Sequence, residues 1–348
     1  MSLPALTTPR TGTVVKAVLL FGLLPLLVAF LSLLIGRYPL APDAVLTALG
    51  RHLFGSGQTT PDAAEVVVVT IRLPRIAAAL LVGAALATAG AAFQGIFRNP
   101  LVSPDILGVA AGAGFGAALA ILLGAGPVGI QAAAFGGGLL AVTTTWLITR
   151  WHAGEGDAVL VLILAGVIVG TVFSALIALV KFVADPNNVL PVITFWLMGS
   201  LAAVSGRDLL AAGLPVGAGL ACLLLLRWRL NLLAFGDEEA RALGVEVERL
   251  RFAVVVGATL MTAAAVAISG VIGLVGLVVP HVTRLLVGPD HRVLLPAAAV
   301  MGGTFLLLVD DVARSLVAAE IPLGILTSLI GAPFFLSLLG RARNGGAA

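Results

Sequence analysis

The sequence predicts an all-α, polytopic membrane protein with about ten transmembrane helices, on three observations. The 348 residues are 60% hydrophobic and 11% charged with a mean hydropathy of +1.14, too apolar for a soluble globular domain. The apolar residues fall in runs of membrane-spanning length. Ten of the 37 charged side chains (20 basic, 17 acidic) collect in one stretch, 227–251, which reads RWRLNLLAFGDEEARALGVEVERLR between two such runs. An ionised side chain costs about 2.5–3.5 kcal/mol at a bilayer centre, so this stretch belongs outside the hydrocarbon.

Inside lipid the backbone has no water to bond, so apolar runs of about 20 residues are read as helices. The expected spans are 14–35, 76–97, 106–123, 128–149, 159–180, 209–226, 252–268, 271–286, 293–309 and 322–339. Arg10 and Lys16 precede the first run as in a signal peptide, but its length marks a retained helix. An even number of spans puts both termini on one side, and cytoplasmic termini place 13 of the 20 basic residues inside against 7 outside. The whole chain, 1–348, then reads as one transmembrane domain with cytoplasmic tails at 1–13 and 340–348 and a cytoplasmic loop at 227–251. Trp146, Trp151, Trp196 and Trp228 fall near span ends, where interfacial aromatics belong. Pro74, Asn99–Pro100, Ser103–Pro104, Gly270–Gly276, Pro280 and Pro322 break the apolar pattern, as in helices that line cavities.

Within the charged stretch, Asp237 is placed to cap a short helix, Glu238 and Glu239 suit its positive end, and Gly244 supplies a stop. On charge pattern alone, a solvated loop and a functional helix stand as equal readings.

Several chemistries are missing. No Gly-rich phosphate loop ends in Lys-Ser or Lys-Thr, and the lysines are Lys16 and Lys181 alone, so the chain is not itself an ATPase. No catalytic constellation and no metal-ligand pattern stand out. His52, His152, His281 and His291 are scattered near span ends, where solvated or interfacial histidines are expected, and Cys222 is the single cysteine. The scattered basic residues form no nucleic-acid surface. Asp310 and Asp311 close the ninth span, and Arg314 follows at i+3, so pairing or interfacial solvation is expected ahead of a proton relay. Arg72 and Arg75 lie on the outer side, where the charge rule disfavours arginine. Snorkelling and the binding of an acidic patch on an outer protein both account for them.

Over 69–339 the chain resembles the FecCD-type permeases of bacterial ABC importers for ferric siderophores, haem and cobalamin. The carriers are IRLPR at 71–75, LLVGAALATAGAAFQGIFRNPLVSPDILGVAAGAG at 80–114, FWLMGSL at 195–201, LNLLAFGDEEARALGV at 230–245, SGVIGLVGLVVPHVTRLLVGPDHRVLLP at 269–296 and EIPLGILTSLIGAPFFL at 320–336. The resemblance implies a homodimer in the bacterial inner (plasma) membrane, with two ATP-binding subunits below it and a periplasmic substrate-binding protein above. This chain then needs no cofactor, since ATP and Mg are used by the partner ATPase. By the same resemblance Arg72, Arg75 and Arg314 dock the binding protein. Asn99 and Leu101 belong to a cytoplasmic gate. Gly236, Asp237, Glu238, Glu239, Ala240, Arg241, Leu243 and Gly244 form the helix that couples to the ATPase. A second gate segment is polar in cobalamin-importing relatives, whereas the matching positions here are Val159 and Leu160. The apolar pair counts against cobalamin without selecting between haem and a siderophore; the expected cargo is an iron chelate, ferric siderophore first and haem second, with cobalamin as the alternative. An ion-coupled secondary transporter and an intramembrane enzyme are the rival classes.

Overall fold

Every backbone amide that enters lipid needs a partner from its own chain, and the fold meets this with helices: among the described residues there is no strand. The structure, a computed structural model, describes residues 19–54, 62–152, 158–317 and 319–345. Arg10, Lys16 and the expected tail 1–13 lie outside them.

A π-helical turn at Leu19–Leu23 leads into α1 (Leu24–Leu34), and α2 (Pro42–Phe54) follows. Helix α3 runs for 34 residues, Ala63–Ile96, with a π-helical segment at Val66–Arg72. A turn and a short 3-10 helix (Pro104–Leu107) lead to α4 (Val109–Leu122), then α5 (Pro127–His152), α6 (Ala158–Val183) and the short α7 (Val189–Met198). Helix α8 (Gly206–Leu232) enters the charged stretch, which contains α9 (Asp237–Ala242). The chain finishes with α10 (Val247–Ser269), α11 (Val275–Val287), α12 (His291–Ser315) and α13 (Leu323–Gly345).

Each expected span overlaps a helix, but their lengths differ. Among the described residues six helices are long and apolar enough to cross a membrane, and five further apolar helical stretches have 10–17 residues. A 14-residue helix such as α4 rises only about 21 Å, short of a hydrocarbon core of about 30 Å. Its course is extended by the turn before it, where Gly108 adopts φ +83° beside Gly170 of α6. Helix α7 was not expected, because ten residues fall below the length at which an apolar run is read as a span.

Four boundaries differ from expectation. The second span begins at Ala63 rather than 76, which puts Arg72 and Arg75 inside a helix. The ninth continues to Ser315 and encloses Asp310, Asp311 and Arg314. The loop expected over 227–251 is shorter, since α8 holds Arg227 and Arg229 in its last turns and α10 starts at Val247. The tail expected from residue 340 is helical to Gly345.

The centre of the bundle is an antiparallel seam of α3 with α12, flanked by α10 and α11. Arg75, three turns into α3, meets Asp310 near the end of α12, and Gly95 near the end of α3 meets His291 at the start of α12. Glycine permits this approach: a Cβ on Gly83 would stand 2.2 Å from the Gly302 carbonyl oxygen, and one on Gly90 would stand 1.8 Å from that of Gly276. With little hydrophobic drive between helices already in lipid, such close packing is what holds them together. The outer helices α5, α6 and α8 keep large exposed apolar side chains, including Leu140, Leu164, Ile168, Leu214 and Leu225.

Replacing Gly83 with Leu is expected to destabilise the protein by about 1–3 kcal/mol or more, since backbone cannot yield as a side chain can. Gly213, whose added Cβ would meet nothing within 4 Å, is the control. Thermal unfolding in detergent should show a lowered midpoint for Gly83→Leu and an unchanged one for Gly213→Leu.

Candidate functional site

Charge gathers at the two ends of the seam. From Arg75 to the end of α3 at Ile96 is 21 residues, about 32 Å of helix, with Arg98 in the turn just beyond, and Asp290, which caps α12, is about 30 Å from Asp310 along that helix. That spacing matches the hydrocarbon thickness of a bilayer.

At the first end five charged groups interlock, and Arg72 beside them completes a set of three arginines and three carboxylates. The Arg75 guanidinium donates to Asp310 from Nε (2.9 and 3.1 Å) and Nη2 (3.0 Å), and to Glu320 from Nη1 (2.9 Å) and Nη2 (3.1 Å). Arg314 donates to Asp311 and, at 2.7 Å, to both the carbonyl and Oγ of Ser32; Ser32 Oγ in turn donates to Asp311 at 2.6 Å. Arg72 donates to the carbonyls of Leu33 and Tyr38. The first helix, α3, α12 and the segment before α13 are thereby tied at one level.

The three arginines turn inward, so Arg72 and Arg75 do not snorkel, and the pairing expected of Arg314 with Asp311 is present. Arg72, Arg75 and Arg314 expose only 3%, 7% and 5% of their surface, and Asp310 exposes none. Of the two settings expected for Asp310 and Asp311, pairing is the one present. Of the cluster's acids, Glu320 keeps the most access, with 23% of its side chain exposed. The partners of Arg75 lie 235 and 245 residues away, so no local pattern announced them.

The other end is built on the turn after α3. Arg98 adopts φ +49°, unusual for a side-chain-bearing residue, and Asn99 Oδ1 accepts the Leu101 backbone N–H at 2.9 Å. Asn99 and Leu101 stand exposed at the tip. The following 3-10 segment packs on α6, where Gly166 faces the Ile106 carbonyl. At the start of α6, Val159 packs against the main core and Leu160 is exposed.

Helix α9 is present with its limits slightly moved. Gly236, at φ +119°, occupies the cap position and Asp237 is the first helical residue, so Asp237 does not cap as expected. Its carboxylate turns sideways instead, to Arg98 at 3.4 Å and Arg251 at 3.0 Å. The stop is as expected: Gly244 at φ +84° lets Gly244 N–H bond Arg241 O (2.9 Å) and Val245 N–H bond Ala240 O (3.0 Å), satisfying the last carbonyls. Ala240 is fully buried against its own chain, so it is not a contact for an outside groove. Glu238, Glu239, Arg241, Leu243 and Gly244 face solvent, with Phe235 exposed just upstream.

A polar knot beside this loop escaped the sequence reading. Asn231 Nδ2 donates to Asp290 Oδ1 at 2.7 Å, and Asn231 Oδ1 accepts the His291 backbone N–H at 2.9 Å. The Arg292 guanidinium beside Asp290 holds its carboxyl well below the usual range. His291 is buried, contrary to the solvated setting expected for it. The Pro289-Asp290-His291 run was the available signal. Between α5, α7, α8 and α10 lies a mostly apolar cavity of about 550 Å³ lined by Ile130, Phe195, Trp196 and Asp208. Among the described residues no three His, Cys, Asp or Glu side chains converge as metal ligands.

A helical bundle that confines charge to two ends one bilayer apart is a multi-pass membrane protein. The FecCD transport family matches residues 23–341, and the chain belongs to that family. It is 44% identical over 334 residues to the molybdate import system permease MolB of Haemophilus influenzae, covering 94% of this chain and 97% of that protein. It is 46% identical over 280 residues to the cobalamin import system permease BtuC of Halobacterium salinarum, covering 80% of this chain and 74% of that protein. A solved structure assigned as an inward-facing metal-chelate type ABC transporter aligns with a TM-score of 0.83 at 43% identity, over 94% of this chain and 99% of that one.

Removing Arg75 strands Asp310 without its main partner. Arg75→Met is expected to cost about 3–5 kcal/mol, and Arg75→Met with Asp310→Leu to recover most of it, because a buried pair exchanged for apolar groups is nearly neutral. Unfolding midpoints of the two variants in detergent check this; equal losses would contradict the pairing.

Proposed function

We propose that this chain is the permease subunit of an ABC importer, forming the path along which a cargo crosses the bilayer while a separate subunit hydrolyses ATP. The observation that carries the reading is the FecCD match across 23–341. It agrees with a chain whose sequence holds no phosphate-binding loop of its own. The chain acts as a single permease domain with α9 on the cytoplasmic side, where the positive-inside count puts it, and both termini on that side. Two copies enclose the path, two ATPase subunits bind ATP and Mg below, and a periplasmic binding protein delivers cargo from above.

Helix α9 is the proposed seat of the ATPase. Leu243 and Phe235 are large apolar side chains left 61% and 69% exposed beside the charges of Glu238, Glu239 and Arg241. An apolar anchor with a charged rim is the composition of a protein interface. At the opposite end, Arg72, Arg75 and Arg314 shape the surface that receives the binding protein from beneath, and Glu320 reaches that surface. Asn99, Leu101, Val159 and Leu160 supply the cytoplasmic gate.

For the cargo, the apolar pair Val159 and Leu160 favours an iron chelate over cobalamin, with ferric siderophore placed first and haem second. The metal-chelate type of the solved relative supports that class, while MolB and BtuC make molybdate and cobalamin the competing cargoes. With binding protein and ATPase present, the true cargo should stimulate ATP hydrolysis where the other three do not.

Leu243→Glu is expected to reduce co-purification of the ATPase subunit by about tenfold or more while the chain stays monodisperse. Full retention of the ATPase would remove α9 as its seat.

A further inference from the structure

The two oxygens of Asp237 serve two different elements. Oδ2 takes Arg251 of α10 at 3.0 Å, and Oδ1 takes Arg98 of the turn after α3 at 3.4 Å. The two contacts differ in character. The Arg251 side chain is 3% exposed and is held from its other side by Glu248 at 3.3 Å, so this arm is anchored in the bundle. The Arg98 side chain is 46% exposed, and its contact is long. Exposed ion pairs are worth about 0–1 kcal/mol, an amount that a modest movement makes or breaks. Gly236 lies beside this pair at φ +119°, and a Cβ there would stand 2.3 Å from the Glu239 carboxylate and in ordinary contact, 3.8 Å, with the Arg98 guanidinium.

We infer that Asp237 and Arg98 form a conditional latch between α9 and the Asn99–Leu101 turn, with Arg251 as its fixed arm. The inference rests on the permease reading above and assigns Asp237 and Arg98 as positioning residues that act through the turn. Asp237 therefore faces its own chain, while its neighbours Glu238, Glu239, Arg241 and Leu243 face outward. A displacement of α9 carries Asp237 with it about the Arg251 arm. Through Arg98, the next residue to Asn99, that displacement reaches the turn.

The test uses the full transporter in proteoliposomes, with binding protein and ATPase, and reads cargo imported per ATP hydrolysed. Arg98→Gln is expected to keep the ATPase subunit bound and hydrolysing while cargo moved per ATP falls about fivefold or more. Arg98→Lys, which keeps the charge, should restore much of the ratio. Adding Arg98→Gln to Asp237→Asn should lower the ratio no further than Asp237→Asn alone, the non-additivity of two residues acting as one contact. An unchanged ratio in Arg98→Gln, or fully additive losses in the double variant, overturns the latch. The failures are distinguishable: wild-type protein that imports without ATP or never binds the ATPase overturns the permease reading, whereas a coupled wild type with an unaffected Arg98→Gln overturns the latch alone.

Discussion

Charge cannot rest unpaired in hydrocarbon, and that one constraint arranges the whole molecule. Between Arg75 and the C-terminal end of α3 lies roughly 30 Å of small and apolar side chains, packed so closely against α12 and α11 that Gly83 and Gly90 admit no Cβ. The charged residues are displaced to the ends, where each finds a partner or water. Breaking either part would disturb the other: a wider seam would pull Arg75 from Asp310, and an unpaired Asp310 would draw water into the seam.

The two ends solve the problem differently, and the difference suits different tasks. The Arg75 cluster balances three arginines with three carboxylates and is almost wholly buried, so it fixes the relative positions of the first helix, α3, α12 and the start of α13. The Asp237 end is looser. Its pairs are partly exposed, its helix is six residues long, and its apolar side chains Phe235 and Leu243 remain uncovered within this chain. A rigid end and an adaptable end are what a permease needs if one face receives cargo and the other receives mechanical work.

Much of this was legible in the sequence because lipid makes the rules strict. Apolar runs had to be helices, the ten charges of 227–251 had to leave the membrane, and Gly244 had to end a helix by adopting positive φ. What escaped notice depended on distance or on shortness. Hydropathy treats Arg75 as a boundary and starts the second span at 76, whereas pairing with Asp310, 235 residues on, accommodates Arg75 inside a helix that begins at Ala63. The inward face of Ala240 was unreadable because six residues give less than two turns of periodicity, and the ten-residue α7 was too short to register as a span. His291 looked interfacial because its partner Asn231 lies 60 residues away.

If this chain conducts cargo on the energy of ATP hydrolysed by another subunit, as proposed above, import must follow ATP and not an ion gradient. Uptake of labelled cargo into proteoliposomes holding the purified chain, its ATPase and its binding protein measures that directly. Accumulation that requires ATP on the α9 side, and that survives collapse of all ion gradients, is the predicted result. Accumulation driven by an ion gradient without ATP or ATPase would contradict the account.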